Sequence, residues 1–255
     1  MMYIFWGLIF IGISGCATKK PEGQTSAEIL YKEALELFQD ERYLIASEKL
    51  NTIKTQHPYS YFATSAELLL ADIHYAQENF IEAASAYGLF KDLHPKHEKM
   101  EYVLWRQAES YFNQLPPTFD RDLSMANEAM RLYLELKEKY PNSSWIDSLQ
   151  QRIDHLESQL KQKELYVADF YFRTKVYASA IYRYQQIIQK YMDNPTKELA
   201  QFRLIKSAYE LQDKTQCLDY ARDFIPHENK TVEAKLLQYK SLCEQLTNDT
   251  HESAN

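Results

Sequence analysis

Seven histidines, three cysteines and a pair of aspartates flanking an arginine are the residues of this chain best equipped for chemistry. The histidines are His57, His74, His94, His97, His155, His227 and His251, and no two stand at a metalloprotease spacing with a carboxylate between them. "HPKH" at 94–97 brings two imidazoles close in sequence, but on a turn that reads as a solvated loop more readily than as a metal site. Asp120 and Asp122 around Arg121 suit ion pairing or loop ordering better than acid–base catalysis. There is no Gly-x-Ser-x-Gly elbow, no phosphate loop and no cysteine pair at zinc-finger spacing. The residue types therefore imply no catalytic residues, no metal and no cofactor. An unrecognised hydrolase remains the reading from another class.

Cys16 is different, because of what precedes it. Residues 3–13, "YIFWGLIFIGI", have the length of a signal-peptide core and are too short to span a bilayer. The terminal amine is the only positive charge before this run. Ile13-Ser14-Gly15-Cys16 resembles the lipobox of bacterial lipoproteins, which implies residues 1–15 as signal peptide and lipidation at Cys16. Several acyl chains hold a protein on a membrane where one is marginal, each buried methylene adding about 0.8 kcal/mol. Ala17, where an Asp could stand, fits sorting to the outer membrane, and residues 16–26 read as a flexible linker. This route implies an oxidising periplasm, in which Cys217 and Cys243 can either pair or remain two small buried residues.

The elements that position these side chains are helical. Glycine is scarce, at 5 of 255 residues, and helix formers abound, which disfavours sandwiches and Rossmann turns. A net charge of −7 argues mildly against nucleic acid, whose phosphates need a basic face. From residue 27 the chain repeats itself. "AEILYKEALELFQDERYLIASEKLNTIKTQHP" (27–58) aligns with "TSAELLLADIHYAQENFIEAASAYGLFKDLHP" (64–95). Ala34 and Ala71 are each followed twelve residues later by Ala46 and Ala83, and Pro58 and Pro95 lie 37 residues apart. This is the tetratricopeptide pattern: paired helices with small residues where they touch and a proline that ends the second.

A third unit places Ala108, Ala129 and Pro141 in the same slots around an insertion, "NQLPPTFDRDLS". A long helix from about Trp145 leads to a fourth unit with Ala168 and Ala180. A fifth carries Ile205 and Cys217 in the alanine slots, and "VEAKLLQYKSLCEQL" is expected to cap the stack. The expectation is an all-α tetratricopeptide repeat superhelix of about five hairpins plus a C-terminal capping helix. Repeats one to three occupy 27–142, repeats four and five with the cap occupy 143–246, and 247–255 is a disordered tail.

In such stacks the first helix of each repeat lines an inner groove. That frame selects Tyr31, Leu35 and Phe38; then Leu68, Asp72 and Tyr75; then Tyr102, Trp105, Glu109 and Phe112. The set is aromatic for a solvated face and suits an extended, aromatic-containing peptide. Packing of individual rings against the next repeat is the competing reading.

The chain from about residue 26 to 225 is similar to the BamD family, lipoproteins of the outer-membrane β-barrel assembly machine. The resemblance is carried by "HPYS", "DLHPKHEKMEYVLWRQAES", "DRD" leading into "KYPNS", and "ELYVADFYFRTKVYASAIYRY". It implies a scaffold, not an enzyme, on the periplasmic face of the outer membrane, anchored by lipid in the inner leaflet. The implied partners are the BamA periplasmic domain, held by the C-terminal repeats, other Bam lipoproteins, and unfolded outer-membrane β-barrel proteins, whose aromatic-ending C-termini the N-terminal repeats receive. An arginine important for the BamA link aligns with Arg183, suited to a charge-assisted contact with a carboxylate or carbonyl. The alternative is another periplasmic tetratricopeptide lipoprotein, coordinating cell-envelope or division complexes.

Overall fold

A computed structural model describes residues 25–191, 193–224 and 230–247. Within them are eleven α-helices and no strand. In chain order these are α1 (Ser26–Gln39), α2 (Tyr43–Gln56), α3 (Tyr61–Ala76), α4 (Phe80–Leu93), α5 (Met100–Phe112), α6 (Ser124–Lys139), α7 (Ile146–Arg173), α8 (Tyr177–Lys190), α9 (Asn194–Glu210), α10 (Lys214–Arg222) and α11 (Lys230–Gln245). The signal peptide and Cys16 lie outside the described residues, as does the tail beyond Thr247.

Local chemistry starts and stops the helices. Thr25, Ser60, Asp193 and Asp213 each accept, on a side-chain oxygen, an orphan backbone N–H from the first turn that follows. Pro58, Pro95 and Pro141 each follow a C-cap residue (His57, His94 and Tyr140) and prevent continuation. Tight turns follow α1, α3, α7 and α9, and each places one residue in the left-handed region: Glu41, Glu78, Lys175 and Gln212, with φ between 59° and 63°. After α5 the "DRD" insertion takes the place of that turn.

The chain divides into two compact units at Glu78/Asn79, inside the second sequence repeat. In unit 1, α1 and α2 form an antiparallel hairpin and α3 packs against both. Ala34 and Ala46 sit fully buried where the hairpin helices meet, and Leu50 and Ile53 fill the layer beside α3. In unit 2, successive helices from α4 to α11 pack on their neighbours, and α11 also reaches α9. Ala108, Ala129, Ala168, Ala180, Ile205 and Cys217 are all fully buried, so the small-residue slots lie at the helix contacts the spacing assigns them. The tyrosines four residues beyond Ala83, Ala129 and Ala180 (Tyr87, Tyr133 and Tyr184) are fully buried too.

Candidate functional site

In unit 1 the first-helix residues stand on α1 and α3. Tyr31 lies against Phe62, ring centroids 5.6 Å apart. Burial, then the charges of Asp72 and Tyr61, push the Tyr31 hydroxyl above its ordinary pKa, so Tyr31 and Asp72 share one environment. Leu35 and Phe38 pack half-buried on the unit 1 core, Phe38 with its ring 5.7 Å from Tyr43. Asp72 and Tyr75 are half-buried, whereas Leu68 is an interior residue, only 4% exposed, and offers a ligand almost no surface.

In unit 2 the same frame is a continuous set of rings and charges. Trp105 stacks on Trp145, centroids 5.8 Å apart and planes 5° from parallel, and its other neighbour is Tyr133 at 5.7 Å. Tyr102 approaches Trp145 at 6.4 Å, and the Arg106 guanidinium lies over Tyr102 at 5.3 Å while its Nε donates to the Tyr102 hydroxyl. Glu109 is buried and accepts from Arg152 Nε at 2.9 Å and Nη2 at 3.0 Å, and from the Tyr133 hydroxyl. Arg152 also covers the Phe112 ring at 4.3 Å. Tyr102, Trp105 and Phe112 are half-buried, so each combines packing with accessible surface.

This arrangement recurs one repeat on. Asp169 accepts from the Tyr184 hydroxyl at 2.6 Å and pairs with Arg203 Nε at 3.4 Å, and Arg203 lies over Phe172 at 4.4 Å. In both copies the acid follows a slot alanine directly (Ala108-Glu109, Ala168-Asp169) and the covered ring is three residues further on. Burial, then the hydrogen bond and charge of Asp169, raise the Tyr184 pKa well above that of an ordinary tyrosine. Groups that recur with the repeat and are satisfied within it act as rivets between helices. Nothing local in the sequence marks Trp145 or Arg152 as partners of these residues, whereas Tyr133 carries a signal: Tyr133 and Tyr184 both stand four residues beyond a slot alanine.

Arg183 is exposed on α8 and lines a cleft of 570 Å³ with Lys163, Glu164, Val167, Ile187 and Lys190. Lys163 donates from Nζ to the carbonyls of Asp120 (2.8 Å) and Arg121 (3.1 Å), and so fastens the insertion to α7 beside this cleft. Lys190 is engaged by Glu164. Asp122 accepts from Ser124 N and Oγ at the start of α6, so the aspartates order a loop. Cys217 and Cys243 are joined in a disulfide that ties α10 to α11. His94 and His97 both rest their rings on Phe90, at 4.8 and 5.1 Å. Among the described residues no group of three or more metal-binding side chains converges, and no helix is long and apolar enough to cross a membrane.

Residues 23–200 match the model of a family described as YfiO, outer membrane lipoprotein. The chain is similar to several proteins named outer membrane protein assembly factor BamD. That of Vibrio cholerae is 29% identical over 173 residues, covering 64% of this chain and 72% of the relative. That of Neisseria gonorrhoeae is 28% identical over 222 residues, covering 81% and 83%. That of Rickettsia prowazekii is 28% identical over 204 residues, covering 78% and 81%. Among solved structures, the TPR2AB domain–pHSP90 complex of yeast Sti1 aligns with a TM-score of 0.43 at 11% identity, over 86% of this chain and 98% of that one.

Proposed function

The chain belongs to the YfiO family of outer membrane lipoproteins, and on that premise we propose that it is a non-enzymatic scaffold in the assembly of outer-membrane β-barrel proteins. The carrying observation is that the family match, residues 23–200, spans the groove residues and Arg183. In this reading Cys16 carries the lipid that holds the chain on the periplasmic face of the outer membrane. The N-terminal repeats, 27–142, receive the aromatic-ending C-terminal peptide of an unfolded barrel protein. Half-buried Tyr31, Phe38 and Tyr75 in unit 1, and Tyr102 and Trp105 in unit 2, each supply ring faces that are already ordered, so little side-chain entropy is lost on contact. The C-terminal half, 143–246, engages the BamA periplasmic domain through Arg183, whose exposed guanidinium can meet a carboxylate or carbonyl in the cleft beside Lys163. Other Bam lipoproteins join the same assembly. Confinement by the anchor raises the effective concentration of client and partner without new contacts.

Two measurements test this. Recovery of BamA with the membrane-extracted chain is expected to fall when Arg183→Glu is introduced, and undiminished recovery removes Arg183 from the interface. Cross-linking of a synthetic C-terminal barrel peptide is expected to weaken with Tyr75→Ala and Trp105→Ala at unchanged helicity. Equal cross-linking sinks the groove.

A further inference from the structure

We propose that the turn between α2 and α3 is a membrane-contact surface, its tyrosines Tyr59 and Tyr61 seated in the headgroup zone of the bilayer that holds the anchor. The proposal rests on lipidation at Cys16. Because α1 and α2 are antiparallel, the start of α1 and the turn after α2 share one end of unit 1. Tyr31, in the second turn of α1, touches Phe62 at the start of α3, and Tyr61 stands edge-on to Phe62 at 5.7 Å. The tether reaches this end. Cys16 and Ser26 are ten residues apart, a span of about 35 Å at full extension.

The chemistry of the two ends of the unit differs. "PYSYF" (58–62) carries no charge. Within it Tyr59 is 101% exposed and Tyr61 69% exposed. Backbone bonds His57 N to Ile53 O (2.8 Å) and Ser60 N to His57 O (3.0 Å) hold the turn, and Ser60 Oγ caps α3. The tyrosines thus stand out from a fixed loop, where an apolar ring with a polar tip suits the boundary between headgroups and acyl chains. At the far end exposed Asp40, Glu41 and Glu78 outnumber exposed Arg42, a net negative charge that an anionic leaflet repels.

The test uses the full chain matured in cells and reconstituted into vesicles of phosphatidylethanolamine and phosphatidylglycerol, with and without brominated acyl chains. Tyr59→Trp reports the turn. Leu44→Trp reports the opposite end of α2, about 20 Å away, at a residue that is 73% exposed. Emission is taken as the difference from the parent chain. The expected result is vesicle flotation that Cys16→Ser abolishes, with brominated lipid quenching the Trp introduced at 59 by about half or more and leaving that at 44 unchanged. Cys16-dependent flotation with no quenching at 59, as a protein-binding turn gives, overturns the proposal and leaves the anchor standing. Equal quenching at both sites overturns it as well. Flotation that is absent, or that survives Cys16→Ser, refutes the anchor and the contact together.

Discussion

Arg152 holds Glu109 through two parallel hydrogen bonds, 2.9 and 3.0 Å long, that bind α7 to α5. The two partners differ in burial: the Glu109 side chain is 7% exposed and that of Arg152 is 39% exposed. Removing one partner of a buried pair costs most when the charge left behind cannot reach water. Arg152→Met strands the Glu109 carboxylate and is expected to cost about 3 kcal/mol. Glu109→Gln leaves Arg152 access to solvent and to the Phe112 face, and is expected to cost about 1–2 kcal/mol. Urea unfolding of both variants checks the order, and a costlier Glu109→Gln contradicts it.

The pair also marks where the sequence stopped being readable. The repeats were legible because alanine spacing and terminal prolines are local and periodic: Ala34, Ala46, Ala71 and Ala83 needed no knowledge of the partner helix. The insertion before Ser124 announced itself through its prolines and aspartates. Arg152 and Trp145 gave no such sign, since each meets its partner some 40 residues away in sequence, at a distance only helix packing sets. The groove frame also selected Glu109, but Tyr133 and Arg152 enclose its carboxylate and leave a ligand almost no surface there. The groove frame selected Leu68 by register alone, and register does not say which flank of α3 the neighbouring helices cover.

Tyr184 makes stability fall at alkaline pH. Its hydroxyl is held neutral by burial first, then by donation to Asp169, so its folded pKa lies above the unfolded value near 10. Below pH 10 the tyrosine is protonated in both states and its contribution is fully present. Above pH 10 the unfolded chain loses that proton first, and stability falls by about 1.4 kcal/mol per pH unit for this one group until the folded pKa is passed. Tyr184→Phe is expected to be less stable at pH 7 by about 1 kcal/mol and to show a shallower decline above pH 10. Parallel slopes for the two proteins between pH 10 and 11.5 would count against this origin.

Lys175 occupies a left-handed turn position, φ 63°, that a side chain adopts only at a cost. The turn is fixed by Lys175 N to Phe172 O at 3.1 Å and Val176 N to Tyr171 O at 2.9 Å, neither of which uses the lysine side chain. Lys175→Gly keeps both bonds and relieves the contact of Cβ with the backbone. Even after the added freedom of the unfolded chain it is expected to gain about 0.5 kcal/mol. Lys175→Val, with a branched Cβ in the same conformation, is expected to lose 1 kcal/mol or about that. Thermal unfolding of the three proteins ranks them directly.

Cys217 and Cys243 close a loop of 26 residues between the last repeat and the cap. Restricting an unfolded loop of that length is worth about 3.5 kcal/mol at 25 °C. Both sulfurs are fully buried, and Cys217 fills an alanine slot against Ile205, so Cys→Ser at both sites also places two hydroxyls in an apolar contact. Cys217→Ala with Cys243→Ala separates these effects: alanine suits the slot at 217 and introduces no buried hydroxyl at either site, so what is lost is the bridge with the packing of its sulfurs. The double alanine variant is expected to unfold α11 before the rest of unit 2, because α11 is held mainly by α10 and α9 and the bridge is its covalent tie. Limited trypsin digestion should then cleave first after exposed Lys235 and Lys240, while the helices up to α8 stay protected. A variant that resists cleavage there as well as the parent shows that the Leu236 and Tyr239 contacts hold the cap without the disulfide.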